Sequence, residues 1–424
     1  MSVETRVQEI VDGFERPFWI ANISEIFERL SYYGAFASLA LYLQEKLQFS
    51  TQQTGALTGL FGGMVWFLAI FGGAVADKMG FRRALSTAYL ILAAAYFLIG
   101  SIGASWLAPV RNAVPLSLFV GVILILPALG IALVKPCVVG TTARASKDNV
   151  RQIGYSIYYT MVNIGSAAGP YVASWVHRHM AVENVFRVCA LSVFAMFFFV
   201  LIFFREPRKA GDRPPPSFGQ VAKNFATILW PPRFLIFLLI FTGYWVVFWQ
   251  QYTTLPGYIT AYVDADKGVA ELILITDPLV VIFLTIAVNY LIRKMAPLHA
   301  VILGTVITSL SWLILAFWPT VPGTVAALAV LALGEIIQQP PYYSYISKLA
   351  PPGQQGIYMG FAFLPLGIGS IIGGALGGYL MQHFAETMHQ PQRVWYCMTG
   401  IGLVTAVLLV VYDRAIREPA TAAP

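Results

Sequence analysis

An all-α membrane protein, built as two six-helix bundles related by a pseudo-two-fold axis, is the fold this sequence predicts. Three observations carry the prediction. Of the 424 residues, 58% are hydrophobic and 11% charged, against about 25% charged in a soluble domain. Apolar segments long enough to cross a bilayer, about 20 residues, recur about twelve times. One long polar stretch, "REPRKAGDRPPPSFGQVAKNFATILWPPR", divides them six and six.

In chain order, Met1 to Arg16 is charged and amphipathic and lacks an apolar core before a small-residue cleavage site, so 1–16 reads as an interfacial helix and not a cleavable signal. Six spans follow near 17–45, 53–77, 84–104, 114–143, 151–177 and 183–204, forming a bundle over 17–204. The proline-rich basic segment 205–232 is a linker. Six more spans lie near 233–262, 268–292, 297–318, 323–347, 355–383 and 393–413, giving a second bundle over 233–416 and a tail at 417–424. An even number of spans puts both termini on one side. That side, with the even-numbered loops, collects 19 of the 27 Lys and Arg residues, and six face the other way. The bias is the positive-inside pattern, so the termini are expected in the cytoplasm and the chain in the cytoplasmic (inner) membrane. The net charge of +7 is then mostly topology and not a nucleic-acid surface.

The halves repeat. "ALGIALVKP" from Ala128 and "ALGEIIQQP" from Ala332 lie 204 residues apart, and "NIGS" at 163–166 meets "GIGS" at 367–370 at the same offset. Duplicated halves with a solute site between them near midplane are a common plan for secondary transporters. Enzyme chemistry has no foothold. Cys137, Cys189 and Cys397 are scattered in apolar stretches, no nucleophile elbow is present, and "HRH" at 177–179 reads as an exposed loop more readily than as a metal site. No metal or other cofactor is expected.

Two stretches carry the chemistry. "GGAVADKMGFRR" lies between spans two and three. Its Gly73, Asp77, Lys78, Gly80, Arg82 and Arg83 resemble, at every defined position, the cytoplasmic loop signature of the major facilitator superfamily. The glycines permit a tight turn and close helix approach, and Asp77 at a helix end can pair with a cation or a helix terminus. The bland reading is an ordinary basic loop. In "EIFERLSYYG", Glu25, Glu28 and Arg29 share one helix face, which Tyr32 and Tyr33 extend. Each ionisable group inside a span costs roughly 2.5–3.5 kcal/mol, so three together must face a polar interior and partly neutralise one another. A structural ion pair is the bland reading. Two carboxylates against one guanidinium leave a surplus, and a carboxyl shut away from water keeps its proton more readily, which makes a proton site.

The decapeptide resembles the E-x-x-E-R-F-x-Y-Y signature of proton-dependent oligopeptide transporters, a branch of that superfamily, with Leu30 in place of Phe. "GIALVKP" is similar to the family's fourth helix, "YSIYYTMVNIGS" to its fifth, "YWVVFWQQYTT" to its seventh and "GEIIQQPPYYSYISKLAP" to its tenth. The resemblance implies that Glu25, Glu28, Arg29 and Lys135 link proton movement to gating. It also implies that Tyr32, Tyr33, Asn163 and Trp249 line the pocket, and that Glu335 holds a substrate's amino end with Lys135 near its carboxylate. For Lys135 the alternative is snorkelling to an interface; for Glu335 it is a packing carboxylate. The departures are specific. Phe36 stands where peptide-binding members carry an arginine, the seventh helix lacks its usual glutamate, and Asp277-Pro278 replaces Asn-Pro on the eighth. Asp277 is therefore expected to take over the lost proton site, and the missing arginine removes a bidentate partner for a substrate carboxylate.

The function expected is proton-coupled symport of small peptides or peptide-like solutes by alternating access. The alternative is a proton-linked exporter of amphiphilic metabolites or drugs. Its partners are a small-molecule or short-peptide substrate and the lipid bilayer, with protons as the coupling ion and a monomer as the working unit.

Overall fold

Helices built by this sequence account for nearly every residue in the computed structural model, which describes residues 13–207, 232–351 and 355–416. The expectations for residues 1–12, for 208–231 of the linker and for the tail at 417–424 lie outside the described residues. Among the described residues there are twelve long helices: α1 Arg16–Leu41, α2 Thr51–Met79, α3 Phe81–Ile99, α4 Leu116–Arg144, α5 Arg151–His179, α6 Glu183–Phe203, α7 Pro232–Phe248, α8 Thr276–Ile292, α9 Pro297–Phe317, α10 Val321–Leu349, α11 Leu364–Leu380 and α12 Gln392–Ile416. Short pieces extend four of them: a π-helical turn, Tyr42–Lys46, after α1, Gln250–Thr253 and Leu255–Tyr262 after α7, Val269–Ile273 before α8, and Gln355–Phe361 before and a π-helical turn, Met381–Thr387, after α11. Ten spans are long and apolar enough to cross a membrane, so the protein is a multi-pass membrane protein. The two that fall short, α1 and α5, carry the charged and small polar residues of the motifs. The two helices that hold the longer sequence repeat, α4 and α10, are each 29 residues.

The chain folds as two compact units. One comprises the described residues up to Tyr42 and from Met64 to 207; the other comprises Leu43–Gly63 and the described residues from 232 onward. The first half of α2 thus packs with the C-terminal spans. A side chain at Gly55 would overlap the Gly374 carbonyl on α11, and a Cβ on Gly59 would come 2.6 Å from the Ser370 carbonyl oxygen. Ser370 Oγ donates to the Gly59 carbonyl at 3.1 Å.

In the N-terminal unit residues 13–15, directly ahead of α1, are extended and not helical. Phe14 bridges antiparallel to Ser146, the Glu15 N–H donates to the Ala145 carbonyl at 2.9 Å, and the Lys147 N–H to Gly13 at 3.0 Å. Phe14, Phe18, Ala145 and Val150 close over this link as a small apolar cluster. The ring of Pro17 fits the first turn, where an N–H would have no partner. Backbone contact sets the α1–α5 crossing: a Cβ on Gly165 would stand 2.5 Å from the Ile26 carbonyl oxygen and 2.6 Å from Arg29 Cβ. That glycine of "NIGS" seats α5 directly behind the charged face of α1.

The loop expected at 177–179 is instead helix. His177 and His179 occupy the last turn of α5, with His177 buried. Among the described residues no group of three or more His, Cys, Asp or Glu could hold a metal.

Candidate functional site

Among the described residues, each unit gathers a cluster of charged side chains from its helices, with Lys135 and Glu335 half-buried. In the N-terminal unit, Glu25, Glu28 and Arg29 are 1%, 0% and 4% exposed. Arg29 Nε pairs with Glu28 and lies 3.6 Å from Glu25 Oε1, while the guanidinium sits 5.0 Å from the Tyr32 ring centroid. Lys135, about two-thirds of the way along α4, places Nζ 4.2 Å over the ring of Trp66, within electrostatic reach of Glu25 and Glu28. So α1 and α4 together set two acids against two bases, and the carboxylate surplus read from α1 alone disappears. Tyr32 and Phe36 are fully buried with ring centroids 5.7 Å apart; Tyr33 is half-buried.

Three tyrosines that the sequence reading missed complete this cluster. Tyr89 on α3 lies beside Ser24 and Glu25, Tyr96 one face-repeat further along lies near Glu28, and Tyr158 on α5 lies near Glu25 and Arg29. The seven-residue spacing of Tyr89 and Tyr96 was the available signal. Asn163 is buried, and its Nδ2 donates at 2.8 Å to the Tyr159 carbonyl of its own helix.

The loop after α2 is a second assembly of the same unit. Gly80 has φ +80°, a conformation that glycine adopts without strain, and it turns the chain into α3. Asp77 pairs with Arg144 at 3.4 Å, and the Arg144 guanidinium covers the Phe81 ring at 4.3 Å. The close helix approach falls at Gly72, where a side chain would overlap the Ala132 carbonyl, whereas Gly73 has only ordinary contact with Pro136. Lys78 and Arg83 lie on the exposed side of the turn, Arg83 beside Arg82 in the groove that Glu206 closes. Glu206 caps α3, accepting the Phe81 N–H at 2.8 Å and the Arg82 N–H at 2.9 Å, while Arg82 donates to the Leu201 carbonyl at 2.6 Å. A carboxylate on unmated first-turn N–H groups contributes about 1 kcal/mol. Glu206→Ala is expected to lower the thermal unfolding midpoint in detergent, and Glu206→Gln by less; equal midpoints for all three proteins would show the cap to be idle.

In the C-terminal unit, α7 breaks at Trp249 and again at Thr254, whose φ is −121°. The break divides the glutamines. Gln250 donates to the Val246 and Gly373 carbonyls at 2.7 and 3.0 Å and ties α7 to α11. Gln251 lies against Asp277. Trp249 is 2% exposed, and its indole N–H donates to the Leu366 carbonyl at 3.0 Å, so packing occupies it. Asp277 stands in the first turn of α8 beside Pro278. Val281, one turn on, packs against Ala332 and Ile336 of α10, which brackets Glu335. The carboxyls of Asp277 and Glu335 lie close enough to act on each other electrostatically. Tyr244, near Thr308 and Gln338, faces the same pair. Two residues given separate roles from sequence are therefore one group.

Comparison with known proteins follows the same lines. A family model described as Major Facilitator Superfamily matches residues 22–364 and, a second time, 249–423. Curated relatives include the multidrug resistance protein MdtH of Aeromonas salmonicida, 23% identical over 95% of this chain and 96% of that one, and MdtH of Escherichia coli O157:H7, 23% identical over 90% of each. Among solved structures, a POT family transporter in complex with thioalcohol conjugated peptide aligns with a TM-score of 0.78, 16% identity and coverage of 96% of this chain and all of the other. A mutant of the nucleoside transporter NupG aligns with a TM-score of 0.74 at 14% identity, over 93% of this chain and 99% of that one.

Proposed function

Because the chain belongs to the major facilitator superfamily, we propose that it is a secondary transporter that moves an amphiphilic solute bearing a cationic amine outward in exchange for protons. The observation that carries this reading is the division of charge. Glu25 and Glu28 are matched by Arg29 and Lys135 within the N-terminal unit, while no Lys, Arg or His of the described residues appears among the groups acting on Asp277 and Glu335. A cationic solute supplies what that pair lacks. Phe36, buried where peptide-binding members carry an arginine, gives an anionic solute end no guanidinium to pair with, and the relatives named for multidrug resistance agree with this solute class.

A second reading is the proton-driven symport of short peptides. The intact Glu25–Glu28–Arg29–Tyr32–Tyr33 pattern and the fold of peptide-transporter structures favour it. In both readings the termini are cytoplasmic, the membrane is the cytoplasmic one, alternating access moves the solute, protons are the coupling ion and a monomer suffices.

The test uses proteoliposomes loaded with a pH dye. Phenylalanine amide, tetraphenylphosphonium and dialanine are added in turn. Proton flux opposite in direction to the amide or the phosphonium, absent from protein-free liposomes, supports exchange. Flux alongside dialanine supports symport. Silence toward all three, from protein with an intact thermal transition, overturns both readings.

A further inference from the structure

We propose that the lipid-facing groove between α3 and α6 is a binding site for one anionic phospholipid, which lays an acyl chain along the groove and sets its phosphate on Arg187.

The groove is built by two helix faces of the N-terminal unit. Leu90, Ala93, Ala94 and Phe97 of α3 line one side at i, i+3, i+4 and i+7. Ala190, Leu191 and Phe194 of α6 line the other. Ala93 and Ala190 form a buried floor, while Leu90, Phe97, Leu191 and Phe194 stand exposed as walls. They enclose a space of about 490 Å³, of the size of ligand sites, about 300–1,000 Å³. From Leu90 to Phe97 a helix rises about 10 Å, which fits within one leaflet of a hydrocarbon core about 30 Å thick. Walls and floor are hydrocarbon, so the part of the ligand that fills them is an alkyl chain.

One end of the groove is charged. Arg187 lines it there, one turn into α6. Its stem passes Gly100, just beyond the end of α3, where a Cβ would stand 3.2 Å from Arg187 Cγ. The guanidinium is exposed and donates one N–H to Asn184 Oδ1 at 2.9 Å, out of the five it carries. Glu183, one turn earlier, is half-buried and acts on Tyr42. Arg111, in the segment after α3, adds a second cation and donates to the Ile102 carbonyl at 3.1 Å. Trp106 of that segment stacks on Phe97 with ring centroids 6.3 Å apart, and an indole in that position marks headgroup level. A guanidinium at headgroup level matches a phosphate with two parallel hydrogen bonds. The positive end selects a lipid with net negative charge, because a zwitterionic headgroup brings its own cation into the same field. On the opposite face of α3, Tyr89 and Tyr96 lie beside Glu25 and Glu28, so a lipid seated in the groove steadies the helix that positions them.

The experiment titrates the full-length protein in detergent with phosphatidylglycerol or phosphatidylcholine of identical chains. Native mass spectrometry reads lipid retention, and the thermal midpoint reads stabilisation. The wild type is expected to retain one phosphatidylglycerol about tenfold more tightly than phosphatidylcholine, with a higher midpoint. Arg187→Gln should erase the preference and Arg187→Lys should keep part of it. Ala94→Phe fills the groove from an exposed position and leaves every charge in place; it should weaken phosphatidylglycerol retention about tenfold as well. Equal retention of the two lipids by the wild type overturns the site and leaves an ordinary lipid annulus, as does an unchanged preference in Arg187→Gln. Full retention by Ala94→Phe overturns the groove as the seat of the chain. A wild-type dimer that Ala94→Phe dissolves overturns the lipid in favour of a second copy of this chain.

Discussion

Arg29→Gln is expected to destabilise the protein strongly. The guanidinium is 4% exposed and serves Glu28, Glu25 and the Tyr32 ring at once. Breaking a buried ion pair by removing one partner costs about 3–5 kcal/mol, because the surviving charge is left uncompensated. Here two carboxylates would share Lys135 alone. The thermal midpoint in detergent should fall by several degrees and transport should vanish. The paired change Glu28→Gln with Arg29→Gln should recover most of the midpoint, because it removes one charge of each sign, while transport stays lost. An Arg29→Gln protein that unfolds at the wild-type temperature would mean that water reaches this face and that the pair contributes little.

The second large effect is expected at Lys135. Its removal shifts the N-terminal cluster from balance to a net charge of −1, and it also strips the cation from the Trp66 face 4.2 Å away. The ring contact alone is worth about 2 kcal/mol when desolvated, the free-energy equivalent of more than a tenfold change. Lys135→Gln should therefore lower the thermal midpoint in detergent, and coupled transport should fall with the lost charge balance. Adding Glu25→Gln should restore charge balance and part of the rate. Lys135→Met separates the alternatives: full transport in that variant would reduce Lys135 to an apolar stem filling space beneath Trp66.

How far the sequence could be read depended on whether the signal was local. Span positions followed from apolar run length, and the α1 face followed from i, i+3, i+4 spacing, because both are properties of one helix. The pairing of Asp277 with Glu335 was hidden, since 58 residues and an intervening helix separate them; the packing of α8 on α10, with Val281 against Ala332 and Ile336, brings them together. The charge surplus was misplaced for the same reason. Counted along α1 it lay at Glu25 and Glu28, but in three dimensions Lys135 balances those two and the surplus rests at α8 and α10. Trp249 and Asn163 resemble pocket residues by motif, yet both spend their polar N–H groups on backbone carbonyls. Gly72, not Gly73, makes the close contact because helix phase decides which of two adjacent glycines faces α4.

The allegiance of Leu43–Gly63 to the C-terminal unit bears on what happens when the polypeptide is made in two pieces. A cut within 208–231 falls at the obvious seam in the sequence, yet it leaves residues 43–63 covalently attached to the wrong fragment. The C-terminal piece, synthesised alone, would expose the Gly374 stripe of α11 to lipid, and the N-terminal piece would carry the matching Gly55–Gly59 ridge with nothing to cover it. Co-produced, the two pieces have a built-in key and lock by which to find each other, and a bulky side chain at Gly55 would jam it. The seam at which this protein can be divided genetically is therefore not the seam along which it is packed.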